Sequence, residues 1–342
     1  MVVPIARRLG DSLPRGIVSV IQTPFDDHLK LDLEALARLV DDAIEAGVDG
    51  FLVPALASEG AYLSDPEREA ILSLVSRRAQ SRIPIICAVS ADTPEECGKH
   101  ARAAFGFKPA AFLVAVPQGL YGRTSALRAF LTAVAGLMPG DWIIQDYQIG
   151  GPGLAVSDIV EFRRRFTRLV GIKIETLPAG PKYSAVRRAC GDDFWISGGW
   201  AIAQMVEALD RGVDAMVPEC AMIRTYKAIE GLHRSQRRME AISVFQRLLP
   251  VLAFSNQDLA TSVAFFKRLL VRKRIFGSVN QRMPMIGWDE VSESLARELI
   301  EQYLALEKDC AETAAVLPEH PLDRPRPDER KRSDPFLPPI TS

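Results

Sequence analysis

Histidine is scarce in this chain. There are four, His28, His100, His233 and His320, and no two stand at ligand spacing. A histidine-based metal site is therefore not expected. The five cysteines, Cys87, Cys97, Cys190, Cys220 and Cys310, are scattered and form no CxxC pair. That pattern argues against a disulfide framework or a zinc site and reads as reduced thiols in a cytosolic protein. Neither sign of charge is in excess, with a net charge of −1, so neither a nucleic acid nor a membrane surface is expected as a partner. There is no run of about 18 apolar residues, and the opening MVVPIARRLGDSLPRG has no apolar segment of signal-peptide length. Neither a membrane span nor a secretory leader is expected, and a cytoplasmic location is.

What is present is an alternation. Hydrophobic residues make up 48% of the chain and charged residues 25%, ordinary proportions for a globular protein. Short β-rich apolar runs recur at Gly16–Gln22, Gly50–Pro54, Pro84–Val89, Ala111–Val116, Trp142–Tyr147, Leu169–Ile174, Phe194–Ser197 and Asp214–Val217. Each is followed by a stretch of helical period. Near-continuous apolar runs are what a parallel sheet buried on both faces requires. Helix starts are marked as well. Ser64-Asp-Pro-Glu67 fits a capping box, Thr93-Pro-Glu-Glu96 repeats the device with Pro94 at the first helical position, and Ser157 is placed to cap DIVEFRRRF. Leu33–Ala46 carries apolar residues at i, i+3, i+4 and i+7, with Gly47 ending it.

Eight strands joined by helices predict an α/β fold, a closed (β/α)8 TIM barrel with a C-terminal helical extension. Such a barrel takes about 250 residues, and the chain has 342. An open doubly wound sheet is the structural alternative, but it usually shows a glycine-rich phosphate loop after its first strand. Here the first run passes into QTPFDDH. The expected division is a barrel over 1–223 and a helical region over 224–316, with long amphipathic stretches at Tyr226–Val251, Leu259–Phe276 and Asp289–Asp309. Residues 317–342, rich in proline and charge, are expected to be disordered or draped over a neighbour.

In a barrel the chemistry sits at the C-terminal ends of the strands. That singles out Lys173 in GIKIE and Tyr147 at the end of IIQDY. An interior lysine is costly unless it is paired or neutral. One reading of Lys173 is a solvent-reaching or ion-paired residue, with Glu175 as partner. The other is an amine kept neutral by burial and able to attack a ketone. Tyr147 is either packing or a proton carrier. Period-two alternation puts Gln145 and Tyr147 on one face of their strand, and Gly171, Lys173 and Glu175 on one face of the next. After the second run, Ala55-Leu-Ala-Ser-Glu-Gly60 offers small residues, the Ser58 hydroxyl, and a Glu59 that is either a surface charge or a buried anchor.

These segments together resemble the dihydrodipicolinate synthase / N-acetylneuraminate lyase family of class I aldolases. The resemblance spans about Gly16 to Pro284 and includes VIQTPFDDHLKLD, AIEAGVDGFLVP, ALASEGAYLSDPERE, YQIGGPG, GIKIE and SGGWAIAQMVEALDRGVDAMV. It implies that Lys173 is the Schiff-base lysine and Tyr147 the catalytic tyrosine. It also implies that the segment with Ala57, Ser58 and Glu59 binds the carboxylate of a pyruvate-like 2-oxo acid. It further implies no metal or organic cofactor, and a homo-oligomer, dimer or tetramer.

This chain departs from the family at several positions. Leu56 and Ala57 stand where the family has two hydroxyl residues, and Pro152 stands where the synthase has an arginine. The loop after the fourth run, with Tyr121, lacks the paired tyrosines usual there. Glu175 replaces a small residue; it would either favour protonated Lys173 or serve as an acid/base and substrate-binding group. The expectation is thus a lyase, aldolase or dehydratase other than dihydrodipicolinate synthase. The alternatives are a non-catalytic binding member and a barrel enzyme working through Glu59, Glu175 and Glu219 without an imine.

Overall fold

The structure, a computed structural model, describes residues 13–199, 203–284 and 287–314. Its core is a closed barrel of eight parallel strands in sequence order: β1 Gly16–Val20, β2 Gly50–Val53, β3 Ile85–Ala88, β4 Ala111–Ala115, β5 Trp142–Asp146, β6 Leu169–Ile174, β7 Trp195–Gly198 and β8 Ala215–Met216. Seven fall within their apolar runs, and β7 extends one residue past its run, to Gly198. The helices between them are α1 Leu33–Glu45, α2 Asp65–Ala79, α3 Pro94–Phe105, α4 Thr124–Leu137, α5 Val156–Arg165, α6 Gly180–Cys190 and α7 Met205–Asp210. After β8 come α8 Ile223–Arg234, α9 Arg238–Ser255, α10 Leu259–Arg272 and α11 Glu290–Ala314. The expected (β/α)8 barrel with a helical extension is the observed fold. No helix among the described residues is long and apolar enough to cross a membrane.

The capping chemistry follows the sequence, with one exception. Asp32 accepts from Ala35 N–H at 2.9 Å to start α1, whose buried face is Ala35, Leu36, Leu39, Val40 and Ala43. Ser64 and Glu67 form the expected box on α2, and Thr93 accepts from Glu96 N–H at 3.3 Å on α3. Ser157 does not cap α5. That helix starts earlier, at Val156 with Ala155 as its cap, because the preceding Leu154 N–H is tied to Asp146 Oδ1 at 3.0 Å. The stretch expected as one helix over Tyr226–Val251 is two, α8 and α9. They are separated at Ser235–Arg237, where Gln236 takes φ +63°, a left-handed conformation that a continuous helix excludes. Residues 317–342 lie outside the described residues.

Two apolar layers hold the barrel. The larger lies between strands and helices and includes Ile17, Phe51, Phe112, Trp142 and Ile172. The smaller fills the barrel interior, with Val18, Leu52, Ile86, Leu113, Ile143 and Trp195. Trp195 plugs the interior below the site and donates its indole N–H to Pro14 O at 2.9 Å. Gly171 makes room for it: a Cβ there would sit 2.6 Å from Trp195 O. With the lower barrel full, the open space lies above it, at the C-terminal ends of the strands.

Candidate active site

One layer above Trp195, the registers bring Gln145, Lys173 and Ser197 side by side on β5, β6 and β7. Lys173 is 4% exposed and its Nζ lies 2.8 Å from Glu175 Oε1. The second Glu175 oxygen accepts from Gln145 Nε2. Of the two readings of Lys173, the structure shows the ion-paired one in its buried form. It does not place the amine in bulk water. Taking two charges out of water is expensive unless both are paired and hydrogen-bonded, and the Gln145 amide supplies the extra bond.

Gly199, just past β7, permits this pair. A Cβ at that position would lie 2.2 Å from Glu175 Oε1 and 2.6 Å from Lys173 Cε. Sequence reasoning had no reason to choose this glycine over its neighbour, because the clash is with side chains from another strand.

Tyr147 follows β5 and lines the same cavity as Lys173 and Glu175. Its backbone is pinned by Gln118, which donates to Tyr147 O at 2.6 Å and accepts from Ile149 N–H at 3.1 Å. Burial, with Glu175 nearby, pushes the Tyr147 phenol up to about 12, so it stays protonated at neutral pH. Below it, buried Asp146 holds the turn together. It accepts from Leu154 N–H, from Tyr121 at 3.1 Å and from Lys182 at 2.5 Å. Lys182 also donates to Pro152 O at 2.7 Å. Pro152 thus meets Lys182 through its carbonyl, and Tyr121 serves the turn through Asp146.

Ala57 lines the cavity with Leu56. The 3-10 turn Leu56–Ser58 begins there, and the first N–H groups of such a turn have no partner within it. Ser58 and Glu59, expected to touch the ligand with Ala57, are occupied elsewhere. The Ser58 hydroxyl donates to Ile21 O and accepts from Ala55 N–H, which fixes the turn from behind. Glu59 is the buried anchor of the two readings. It pairs with Lys267 of α10 and accepts from the N–H groups of Arg282 and Met283 at 2.6 and 2.7 Å. Burial pushes Lys267 down to about 8 even beside this carboxylate. Its Nζ also lies 4.6 Å from the Phe25 ring centre, with the Arg282 guanidinium 4.2 Å from the same ring. Lys267 gave no signal in the sequence, since a single lysine in an amphipathic helix reads as a surface residue.

The Glu59–Lys267 pair ties the cavity turn to the C-terminal helices. Removing one partner of a buried pair strands the other charge and costs about 3–5 kcal/mol. Glu59→Gln and Lys267→Met should each lower stability by about that much in urea unfolding. The double variant should lose less than the sum, because neither charge is left alone.

The cavity measures ≈ 70 Å³, room for roughly five waters and hence for a small organic acid. Glu219, after β8, also lines it; burial pushes its carboxyl up to about 8. Among the described residues no cluster of three or more His, Cys, Asp or Glu side chains could hold a metal.

A buried lysine and a tyrosine share one cavity at the mouth of a parallel (β/α)8 barrel, and that arrangement is the class the fold and the site define. Comparison with known proteins narrows it. The model of the dihydrodipicolinate synthetase family matches residues 13–301, and the chain belongs to that family. L-2-keto-3-deoxyarabonate dehydratase of Azospirillum brasilense is 26% identical over 280 residues, covering 79% of this chain and 88% of the dehydratase. N-acetylneuraminate lyase of Citrobacter koseri is 38% identical over 95 residues, 27% of this chain and 32% of the lyase. Among solved structures, dihydrodipicolinate synthase from Rhodopseudomonas palustris superposes with a TM-score of 0.76 at 21% identity, over 86% of this chain and 99% of that one.

Proposed function

We propose that this protein is an imine-forming lyase, aldolase or dehydratase acting on a 2-oxo acid, with Lys173 as its covalent nucleophile. The observation that carries the reading is the placement of the Lys173 amine, buried and 2.8 Å from Glu175, in one cavity with Tyr147. Family membership and a dehydratase relative matched over most of its length support it.

An ammonium is no nucleophile; a lysine of ordinary pKa, about 10.4, is almost wholly protonated at pH 7. Within the pair, Glu175 takes the proton and leaves a neutral amine beside a neutral carboxyl. No net charge is created in the buried site. The amine attacks C2 of the substrate. The carbonyl oxygen leaves as water, carrying one proton from the nitrogen and the one lent to Glu175, so that ammonium plus ketone gives iminium plus water. The Glu175 carboxylate, regenerated as water leaves, takes a C3 proton and yields an enamine. In a dehydration the enamine electrons expel a C4 hydroxyl, which takes a proton from Tyr147 and leaves as water; in an aldol cleavage Glu175 instead takes the C4 hydroxyl proton while the iminium takes up the C3–C4 bonding pair. Tyr147, held protonated, is the proton donor. The N–H groups of Leu56 and Ala57, at the start of the turn, receive the substrate carboxylate, a task that needs no side-chain hydroxyl; the Ser58 N–H is already bonded to Ala55 O at 3.0 Å. Neither a metal nor an organic cofactor enters the scheme.

In this reading the barrel extends to residue 223, and the helices of 224–316 add one wall of the cavity. The protein is taken as cytoplasmic and as a homo-oligomer, dimer or tetramer, on the strength of its family. A barrel that binds without turnover would keep the Lys173–Glu175 pair but fill its mouth; here the mouth holds a cavity. A carboxylate-only mechanism loses Glu59, which is spent on Lys267.

The test is reduction with borohydride in the presence of pyruvate and a panel of other 2-oxo acids. Peptide mass analysis should show the reduced adduct on Lys173. Absence of an adduct with every compound would overturn the proposal.

A further inference from the structure

The two oxygens of Glu175 meet different partners. Oε1 faces Lys173 Nζ at 2.8 Å and packs against Gly199, where a Cβ would sit 2.2 Å from it. Oε2 accepts from the side-chain amide of Gln145. Gln145 is buried, lines the cavity and stands beside Lys173 across the β5–β6 ladder. Its amide thus reaches from β5 to a carboxylate just past β6 whose other end meets the amine. Other residue types at this position would act differently. The terminal torsion of a glutamate is broad and roughly two-fold, so a side chain without a donor would leave either oxygen able to turn to Lys173. A lysine or arginine would add a cation that competes with Lys173 for the carboxylate. A carboxylate would set like charges side by side in a buried site. An amide donates without adding charge.

We infer that Gln145 is a positioning residue for proton transfer: it anchors Glu175 Oε2 and so reserves Oε1 as the oxygen that exchanges protons with Lys173 Nζ and with C3 of the bound substrate. The inference rests on the imine reading above. Gln145 acts through Glu175 and needs no contact with the reacting atoms. In the step it governs, Oε1 takes one C3 proton from the iminium. The C3–H bonding pair becomes the enamine double bond, and the iminium π pair returns to nitrogen. The reverse step returns a proton from Oε1 to C3 and restores the iminium. Pyruvate has no C4 to lose, so with pyruvate this cycle runs back and forth. In deuterium oxide it replaces C3 hydrogen with deuterium.

Two quantities are read on the full chain with pyruvate or, failing that, with the acid of the panel that traps best. One is the concentration giving half-maximal borohydride trapping on Lys173. The other is the rate at which deuterium enters C3, followed by proton magnetic resonance and divided by the fraction of protein trapped. Gln145→Met keeps the length of the side chain and loses its donor. Trapping should stay within about twofold of the parent while exchange per adduct falls about tenfold or more, since displacing a reacting group by about 1 Å can cost 10²-fold. Glu175→Gln removes the proton carrier and sets the floor. If Gln145→Met fails to fold, Gln145→Asn, whose amide is one methylene short, is read in the same way. A residue that only packs the barrel would change adduct and exchange together and leave their ratio alone. An unchanged ratio, or a parent that forms the adduct without exchanging C3, overturns the role of Gln145 while the imine stands. No adduct from any 2-oxo acid, pyruvate included, removes the imine reading and the positioning role with it.

Discussion

Lys173→Met is expected to abolish the borohydride-trapped adduct and to lower turnover on the order of 10⁴-fold or more, since the covalent route disappears with the amine. Methionine retains the apolar length of the side chain but leaves Glu175 without its cation. Glu175 keeps its bond to Gln145, and the barrel should stay folded. Lys173→Met/Glu175→Gln removes the residual cost and provides the control. If it unfolds like the parent and is as inactive as the single variant, the loss belongs to chemistry and not to folding. An active Lys173→Met would point to catalysis by carboxylates alone.

Gly199→Ala should cost nearly as much by a different route. The added methyl would lie 2.2 Å from Glu175 Oε1 and 2.6 Å from Lys173 Cε, so both members of the pair must move. Displacing a reacting group by about 1 Å can cost 10²-fold, and activity should fall at least that far. Gly106→Ala is the matched control, because a Cβ there meets nothing within 4 Å and should leave activity unchanged. The contrast is read from kcat with each variant's far-ultraviolet spectrum in hand. A Gly199→Ala protein of normal activity would mean that the Lys173–Glu175 geometry is not needed for turnover.

The barrel was legible in the sequence because its physics is local and repetitive. A strand buried on both faces has to be apolar along its length, and eight such runs separated by helical periods leave few architectures. Lys173 and Tyr147 stand out in the sequence because each breaks a local rule, a charge in an apolar strand and a phenol at a strand end, and the structure puts both on one cavity. Period-two alternation puts Gln145 with Tyr147 on one face of their strand and Lys173 with Glu175 on one face of the next, and the register sets Gln145 beside Lys173. The hidden parts depend on contacts between distant segments. Nothing near Lys267 announces that it pairs with Glu59, 208 residues away. Nothing near Asn256 or Glu219 says that they share a cavity with Lys173. A hydroxyl in a loop of small residues reads as available in the sequence, whereas the Ser58 oxygen is bonded to Ile21 O and Ala55 N–H. The expected cap at Ser157 failed in the same way: a bond from Leu154 to Asp146 set the start of α5.

The most direct measurement is the electron density of crystals soaked in pyruvate. The account predicts unbroken density from Lys173 Nζ to the keto carbon, with the carboxylate against the turn at Leu56–Ser58. Density that stops at the amine, with Lys173 still joined only to Glu175 while pyruvate occupies the cavity, would contradict it.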